Sequence, residues 1–126
     1  MNKIKLVRND SHPQLIVSLQ DGSGVAIDIS TLGDTPRLKF RETGATSNQA
    51  VLTGTAIPGY ENEDGTINNN TPYNVPGKGG RCVFQFTQQS LSGEAGEYEG
   101  EIEITFSDGT VQTVYELLKF KVRDEF

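Results

Sequence analysis

The strongest structural signal in the sequence is an alternation of apolar and acidic residues between positions 98 and 106. The apolar or small residues are Tyr98, Gly100, Ile102, Ile104 and Phe106, and the acidic residues between them are Glu99, Glu101 and Glu103. Because successive side chains of a strand point to opposite faces, this spacing predicts a β-strand with one buried face and one face in solvent. The acidic row is therefore interpreted as a solvated face rather than a site.

A β-hairpin is predicted to follow this strand at the C-terminal end of the chain. Asp108-Gly109 supplies the positive φ angles that a two-residue type I′ turn requires. Pairing Ser107 with Thr110 then sets the register of the hairpin. The inward pairs predicted by this register are Phe106 with Val111, Ile104 with Thr113, Ile102 with Tyr115 and Gly100 with Leu117.

The distal half of the returning strand carries its apolar residues in the other phase. These residues are Leu118, Phe120 and Val122. A slip of one residue restores the phase, so a β-bulge is predicted at Leu117-Leu118. The charged pairs predicted beyond the bulge are Glu99 with Lys119 and Glu97 with Lys121.

The remainder of the sequence consists of short alternating runs between turn residues. The predicted strands are residues 3–8, 14–19, 25–29, 37–41, 50–57, 81–86, 98–106 and 110–123. A chain of 126 residues has the length of one compact domain. Residues 1–126 are therefore predicted to form a single all-β domain, an antiparallel β-sandwich of about seven to eight strands.

The segment before the alternating strand resembles the start of strand F in immunoglobulin domains. Residues 94–100 read Glu-Ala-Gly-Glu-Tyr-Glu-Gly, with Tyr98 at the tyrosine-corner position and Gly100 where antibodies have a cysteine. The resemblance implies an immunoglobulin-like sandwich in which Tyr98 is a core residue that bonds to the backbone. The inter-sheet disulfide of antibody domains is absent, because Cys82 is the only cysteine in the sequence.

A long polar segment at about residues 58–80 has no core pattern and is predicted to be a loop. Within and beside it, Tyr60 and Tyr73 are candidate aromatic anchors for a protein partner, and Lys78 and Arg81 are candidate polar contacts. The alternative is a mobile loop in solvent that becomes ordered only within an assembly.

Composition argues against several classes of function. The formal net charge of −6 makes nonspecific binding to nucleic acid or to anionic membranes unfavourable. His12 is the only histidine, so neither a multi-histidine zinc site nor a persuasive catalytic triad can be assembled. Cys82 lies among apolar residues and is predicted to be a buried thiol. We therefore predict no enzyme activity, no cofactor and no metal site.

The N-terminal residues alternate polar with apolar and do not run into the apolar region of a secretory signal peptide. No stretch of the sequence approaches the length needed to span a membrane. The expectation is a protein that folds in a cytoplasm.

Most of the chain resembles a group of small tailed-bacteriophage virion proteins related to the N-terminal immunoglobulin-like domain of baseplate upper proteins. The resemblance is carried by the opening residues 7–15, by Ile27-Asp28-Ile29 before Leu38-Lys39-Phe40-Arg41, and by the closing residues 96–102 and 120–123. It excludes the loop at residues 58–80.

The resemblance implies a structural or adaptor protein of the phage particle, in the tail or baseplate. We expect it to be a homo-oligomer or to occur in multiple copies, and to bind other virion proteins of the tail, baseplate or capsid. The expected location is the virion, after assembly in the cytoplasm of the host bacterium. Baseplate upper proteins carry a longer C-terminal region for host recognition, and because the sequence ends at Phe126 we expect a stand-alone adaptor. The alternatives are a capsid-surface decoration protein and a carbohydrate-binding module for host attachment.

Overall fold

The computed structural model describes residues 3–114 and 116–126, and its regular structure consists of strands. The strands are β1 (Ile4–Val7), β2 (Gln14–Ser18), β3 (Thr35–Glu42), β4 (Ala50–Thr53), β5 (Thr55–Ala56), β6 (Tyr60–Glu61), β7 (Ile67–Asn68), β8 (Arg81–Gln85), β9 (Gly96–Thr105), β10 (Val111–Thr113) and β11 (Leu118–Arg123). The fold is all-β, as the alternating runs predict.

Two packed sheets form an immunoglobulin-like β-sandwich. The larger sheet has the order β1-β11-β9-β3-β4, with β10 also paired to β9, and the smaller sheet has the order β2-β8-β5. The paired strands are antiparallel except β1, which runs parallel to β11. Strands β6 and β7 form a separate two-stranded hairpin. The larger sheet is called the charged sheet below, and the smaller one the three-stranded sheet.

The core lies between the two sheets and is built from the inward residues of the long strands. Alternate residues of β9 are buried, as the period of two predicts, and β3 shows the same alternation. At the centre, Phe40 stacks on Tyr98 with ring centroids 4.9 Å apart and meets Phe120 edge-on at 5.1 Å. Phe86 packs against both phenylalanines. Such aromatic pairs add to the free energy gained by burial alone.

The tyrosine corner is present. Tyr98 is 3% exposed, and its hydroxyl donates a hydrogen bond of 2.7 Å to the carbonyl of Glu94. A Cβ atom on Gly100 would lie 2.8 Å from Leu38 Cδ1 and 2.9 Å from Phe120 Cε2. The position that holds a cysteine in antibodies must therefore stay without a side chain here, because neighbouring core side chains already fill the space.

The turn of the C-terminal hairpin differs from the prediction. The Phe106 amide donates to the carbonyl of Thr110, and the Gly109 amide donates back to the carbonyl of Phe106. Gly109 has a φ of 88°, and Asp108 does not have the positive φ that a type I′ turn requires. The loop is therefore a three-residue connection in which Gly109 forms the bulge position. The Asp108 carboxylate accepts a bond from the Thr110 amide.

This turn shifts the first part of the register, so the predicted pairs next to it are wrong. Val111 lies opposite Thr105 and Gln112 opposite Ile104. Val111 is consequently 56% exposed. The pairs predicted farther along are confirmed, since Lys119 lies opposite Glu99 and Lys121 opposite Glu97.

The predicted bulge is larger than one residue. The Val114 amide still bonds to the carbonyl of Ile102, whereas Leu118 already lies opposite Gly100. Glu101 alone separates these two pairs on β9, so the returning strand accommodates two extra residues rather than one. The predicted pair of Ile102 with Tyr115 falls partly outside the described residues.

Two other predicted strands are corrected. Residues 25–29 form no strand, although Ile27 and Ile29 bury their side chains. The Ile27 amide bonds to the carbonyl of Leu19 and the Ile29 amide to that of Gly77, so the two residues do not share one partner strand. Residues 50–57 divide into β4 and β5, which belong to different sheets. An alternating pattern identifies a buried face but does not say which strand pairs with it.

Candidate interaction surface

The segment at residues 58–80, which is predicted to be a long loop, is anchored to the sandwich. It contains the β6–β7 hairpin, and its return limb is bonded to other parts of the fold. The Gly77 amide donates to the carbonyl of Ile57, and the Gly77 carbonyl accepts from the amide of Ile29. The Gly59 amide donates to the carbonyl of Tyr73. This anchored segment therefore presents a preformed surface.

The two predicted aromatic anchors lie together on this segment. The rings of Tyr60 and Tyr73 stack with their centroids 4.9 Å apart and their planes 25° from parallel. Both side chains are half-buried. The pair has little conformational entropy left to lose on binding, which favours its use as a contact.

The two predicted polar contacts have different roles. Arg81 donates a bond of 2.8 Å to the carbonyl of Pro58 and braces the start of the segment. Its Nε is buried and has no hydrogen-bond partner among the described residues. Arg81 is therefore an internal brace rather than a free contact group. Lys78 is exposed, and its Nζ lies 3.3 Å from a carboxylate oxygen of Asp28.

The pair of Lys78 and Asp28 connects the anchored segment to the loop before β3. Partial burial opposes ionisation of Asp28, but hydrogen bonds from Ser30 and the nearby Lys78 ammonium outweigh this effect and lower its pKa. Asp28 is thus a stable anion at neutral pH. Because both side chains remain largely exposed, the pair contributes little to the stability of the fold.

The tip of the β6–β7 hairpin faces solvent. Asp64 accepts bonds from the amide and the hydroxyl of Thr66, which close the turn and lower the pKa of that carboxyl. One side of the hairpin is tethered, since the Ser18 hydroxyl donates a bond of 2.9 Å to Glu61. The stem of the hairpin is therefore positioned against β2, while the residues of the tip are exposed.

Ion pairs neutralise part of the charge on the outer face of the charged sheet. Glu103 pairs with Lys39 at 3.0 Å and Glu99 pairs with Lys119 at 3.3 Å. Lys3 lies 2.7 Å from Glu97, and its hydrogen bond lowers the pKa of that carboxyl. These pairs support the interpretation of the acidic row as a solvated face.

The cleft beside β2 was not predicted from the sequence. This cleft has a volume of about 600 Å³ and opens between the end of β2 and the middle of the C-terminal hairpin, near Ile102 and Val114. Its apolar lining, among the described residues, consists of Val17, Leu19, Ile102, Val114 and Leu118. Asp21, Glu61 and Glu116 contribute acidic groups to the lining. The signal in the sequence was the run Gln14–Ser18, which places apolar residues on both faces of one strand.

Among the residues that the structure describes, reactive groups are not gathered at any of these surfaces. Cys82 is fully buried, and burial raises the pKa of its thiol to about 12. His12 lies in the exposed connection before β2. In the described ranges 3–114 and 116–126, no three His, Cys, Asp or Glu side chains are placed to share a metal ion. The same residues include no helix with the length and hydropathy needed to cross a membrane.

The chain was compared with family models, curated proteins and solved structures. No family model matches the chain, and no curated protein matches it. Among solved structures, the chain is similar to AggA, the major subunit of aggregative adherence fimbriae type I from Escherichia coli. The identity is 12% and the TM-score 0.41, with 96% of this chain and 91% of that chain covered. A likeness at this level carries no argument about this chain.

Proposed function

We propose that this chain is a structural or adaptor subunit of a tailed-phage particle, located in the tail or baseplate and without enzymatic activity. In this proposal it binds neighbouring virion proteins, occurs in multiple copies and reaches the virion after assembly in the bacterial cytoplasm. The phage assignment is supported by the sequence resemblance carried by residues 7–15, 27–29, 38–41, 96–102 and 120–123.

The observation that carries the binding role is the stacked pair of Tyr60 and Tyr73 on the anchored segment. The segment is held by backbone bonds to Ile29 and Ile57, and by the Arg81 bond to Pro58. A tyrosine pair on such a support offers apolar area and hydroxyl groups that are already in place. Aromatic side chains of this kind dominate the binding free energy of many protein interfaces.

Incorporation into particles tests the proposal. Phage particles lacking this chain would be complemented with the native chain, with Tyr60→Ala plus Tyr73→Ala, or with Glu63→Ala as a matched change on the exposed hairpin. We expect the native chain and the Glu63 variant to be recovered in purified particles and the double tyrosine variant to be depleted. A chain that is absent from particles altogether contradicts the virion assignment, and equal recovery of all three contradicts the role of the tyrosines.

Two alternatives give different outcomes in related experiments. Antibody labelling that places the chain on heads rather than tails favours a capsid-surface decoration protein. Binding of the purified chain to a glycan array, reduced by the double tyrosine change, favours a carbohydrate-binding module. The anchored segment is compatible with both, because stacked aromatic residues can contact proteins or sugars.

A further inference from the structure

The outer edge of β2 is an open strand edge. The Leu19 amide bonds to the carbonyl of Gly80, and the Phe86 amide bonds to the carbonyl of Pro13. In an antiparallel pair these bonds alternate along the strand, so Leu15 and Val17 exchange backbone bonds with β8. The amides and carbonyls of Gln14, Ile16 and Ser18 therefore point away from the sheet. No described residue outside β8 donates a backbone bond to β2 or accepts one from it.

The sequence of β2 lacks the residue types that usually protect such an edge. Its sequence, Gln-Leu-Ile-Val-Ser, contains no charge, no proline and no glycine. Ile16 projects from the outer face and is 53% exposed. On the inner face, Leu15 and Val17 pack against the core yet stay half-buried. Both faces of the strand thus leave apolar surface for a neighbour to cover.

The other edges of the sandwich are weaker candidates. β1 carries Lys5, and a symmetric partner centred on this residue would oppose like charges. On β4, the bond from the Gly54 amide to the carbonyl of Pro36 sets the alternation, which leaves only Val51 and Thr53 directed outward. β5 has two residues. β2 offers the longest uncharged edge.

We propose that β2 pairs with β2 of a second copy of this chain, antiparallel and across a twofold axis at Ile16. In this register Ile16 lies opposite the partner's Ile16, and Gln14 lies opposite the partner's Ser18. Three residues on each chain then present one donor and one acceptor each, which gives about six interchain backbone bonds. The two three-stranded sheets become one continuous six-stranded sheet.

The same register fits the side chains on both faces. Leu15 and Val17 lie opposite the partner's Val17 and Leu15 on the inner side, and the two Ile16 side chains cover each other on the outer side. Val17 borders the cleft of about 600 Å³, so the partner's Leu15 arrives at the apolar mouth of that cleft. The mouth of the cleft, which is open in a single chain, is thus covered by the second chain.

The charges near the axis are also compatible with a twofold. Glu61, held by the Ser18 hydroxyl, is the charged group nearest to this edge in the hydrogen-bond network. Because Ser18 lies opposite the partner's Gln14, each Glu61 carboxylate approaches an amide rather than the other carboxylate. The Gln14 amide already donates a bond of 3.0 Å to Gln85 and has a second hydrogen to offer. Because β2 contains no charged residue, the pairing brings no like charges of the two strands together.

Sedimentation velocity of the purified chain over a range of concentrations tests this pairing, and it requires neither phage nor partner. We expect a reversible monomer–dimer equilibrium. Ile16→Lys should weaken the dimer by about 100-fold, because two isoleucine side chains lose their burial and two ammonium groups face each other. Val51→Lys is the matched control, since Val51 is 49% exposed on an edge of the other sheet, and it should leave the equilibrium unchanged.

Ile16→Pro gives a second and more specific test. The amide of Ile16 points outward, so proline removes an interchain donor without removing a bond to β8. This variant should lose the dimer, and it should keep the native thermal midpoint at concentrations where the native chain is monomeric. Amide hydrogen exchange should slow with concentration at Ile16 and Ser18 but not at Val51. A chain that stays monomeric at about 1 mM, or a dimer that survives both Ile16 changes, overturns the proposal. Neither result bears on the virion assignment, which is tested separately by incorporation into particles.

Discussion

The tyrosine corner allows a sharp test of the immunoglobulin-like core. In Tyr98→Phe the ring is retained, so its stacking on Phe40 at 4.9 Å should persist and only the bond of 2.7 Å to the Glu94 carbonyl is lost. A hydrogen bond of this kind contributes about 1 kcal/mol, and leaving its acceptor poorly solvated costs up to about 1 kcal/mol more. We therefore expect the free energy of unfolding to fall by about 1–2 kcal/mol.

For a chain of this length, a loss of about 1 kcal/mol lowers the thermal midpoint by roughly 3–6 °C. Urea unfolding at pH 7 gives the free energy directly, and an unchanged m-value would show that the unfolded state is not altered. Tyr73→Phe is the matched control, because it removes the same atom from a half-buried ring outside the core. If Tyr98→Phe unfolds within a few tenths of a kcal/mol of the native chain, the corner does not stabilise this fold.

Three further predictions concern the core and the anchored segment. Burial raises the pKa of the Cys82 thiol to about 12 from an ordinary value of 9.0, so the thiol ionises first in the unfolded chain and the free energy of unfolding falls between these two pH values. Cys82→Ala should reduce this alkaline loss of stability in unfolding curves recorded at a series of pH values. An unchanged dependence of the free energy of unfolding on pH would contradict this prediction. Gly100→Ala should lower the free energy of unfolding by about 1–3 kcal/mol, because the added Cβ collides with Leu38 and Phe120. Gly22→Ala is the control, since a Cβ there meets nothing within 4 Å, and it should have almost no effect on chemical denaturation. Deleting residues 61–70 should leave the thermal midpoint nearly unchanged, because the backbone bonds of Gly77 are kept, but it should weaken incorporation into particles. A collapse of the fold would show that the hairpin is part of the core scaffold.

The parts of the fold that were predictable are those in which side-chain pattern and backbone geometry give the same answer. The alternation along residues 98–106 determines which face of β9 is buried, because its period matches the pleat of a strand. The pairs of Glu99 with Lys119 and Glu97 with Lys121 were predictable because the apolar phase of β11 requires a slip from the hairpin register, and a slip of one residue sets these charges opposite each other. The corner at Tyr98 follows from a local motif of a few residues.

The errors arise where one sequence is compatible with two backbone solutions. Asp108-Gly109 suits a two-residue turn, but it suits a three-residue turn equally well when the aspartate accepts the Thr110 amide and glycine alone takes the positive φ. That choice shifts the adjacent register by one residue and doubles the bulge. The anchoring of residues 58–80 could not be predicted for another reason. Backbone groups, such as those of Gly77, hold the segment, and backbone hydrogen bonds do not depend on the hydropathy of the side chains.

The two outer faces of the sandwich differ in the desolvation that a neighbour would have to overcome. On the charged sheet, Glu99 and Glu103 are already paired with lysines, so covering this face removes ion pairs from water without offering them better partners. On the three-stranded sheet, Ile16 is exposed and the edge of β2 has backbone groups to share. Glu61 bonds to Ser18, which places the anchored segment beside that edge. Contacts with neighbours should therefore concentrate on this side of the molecule, where the tyrosine pair and the open strand can be used together.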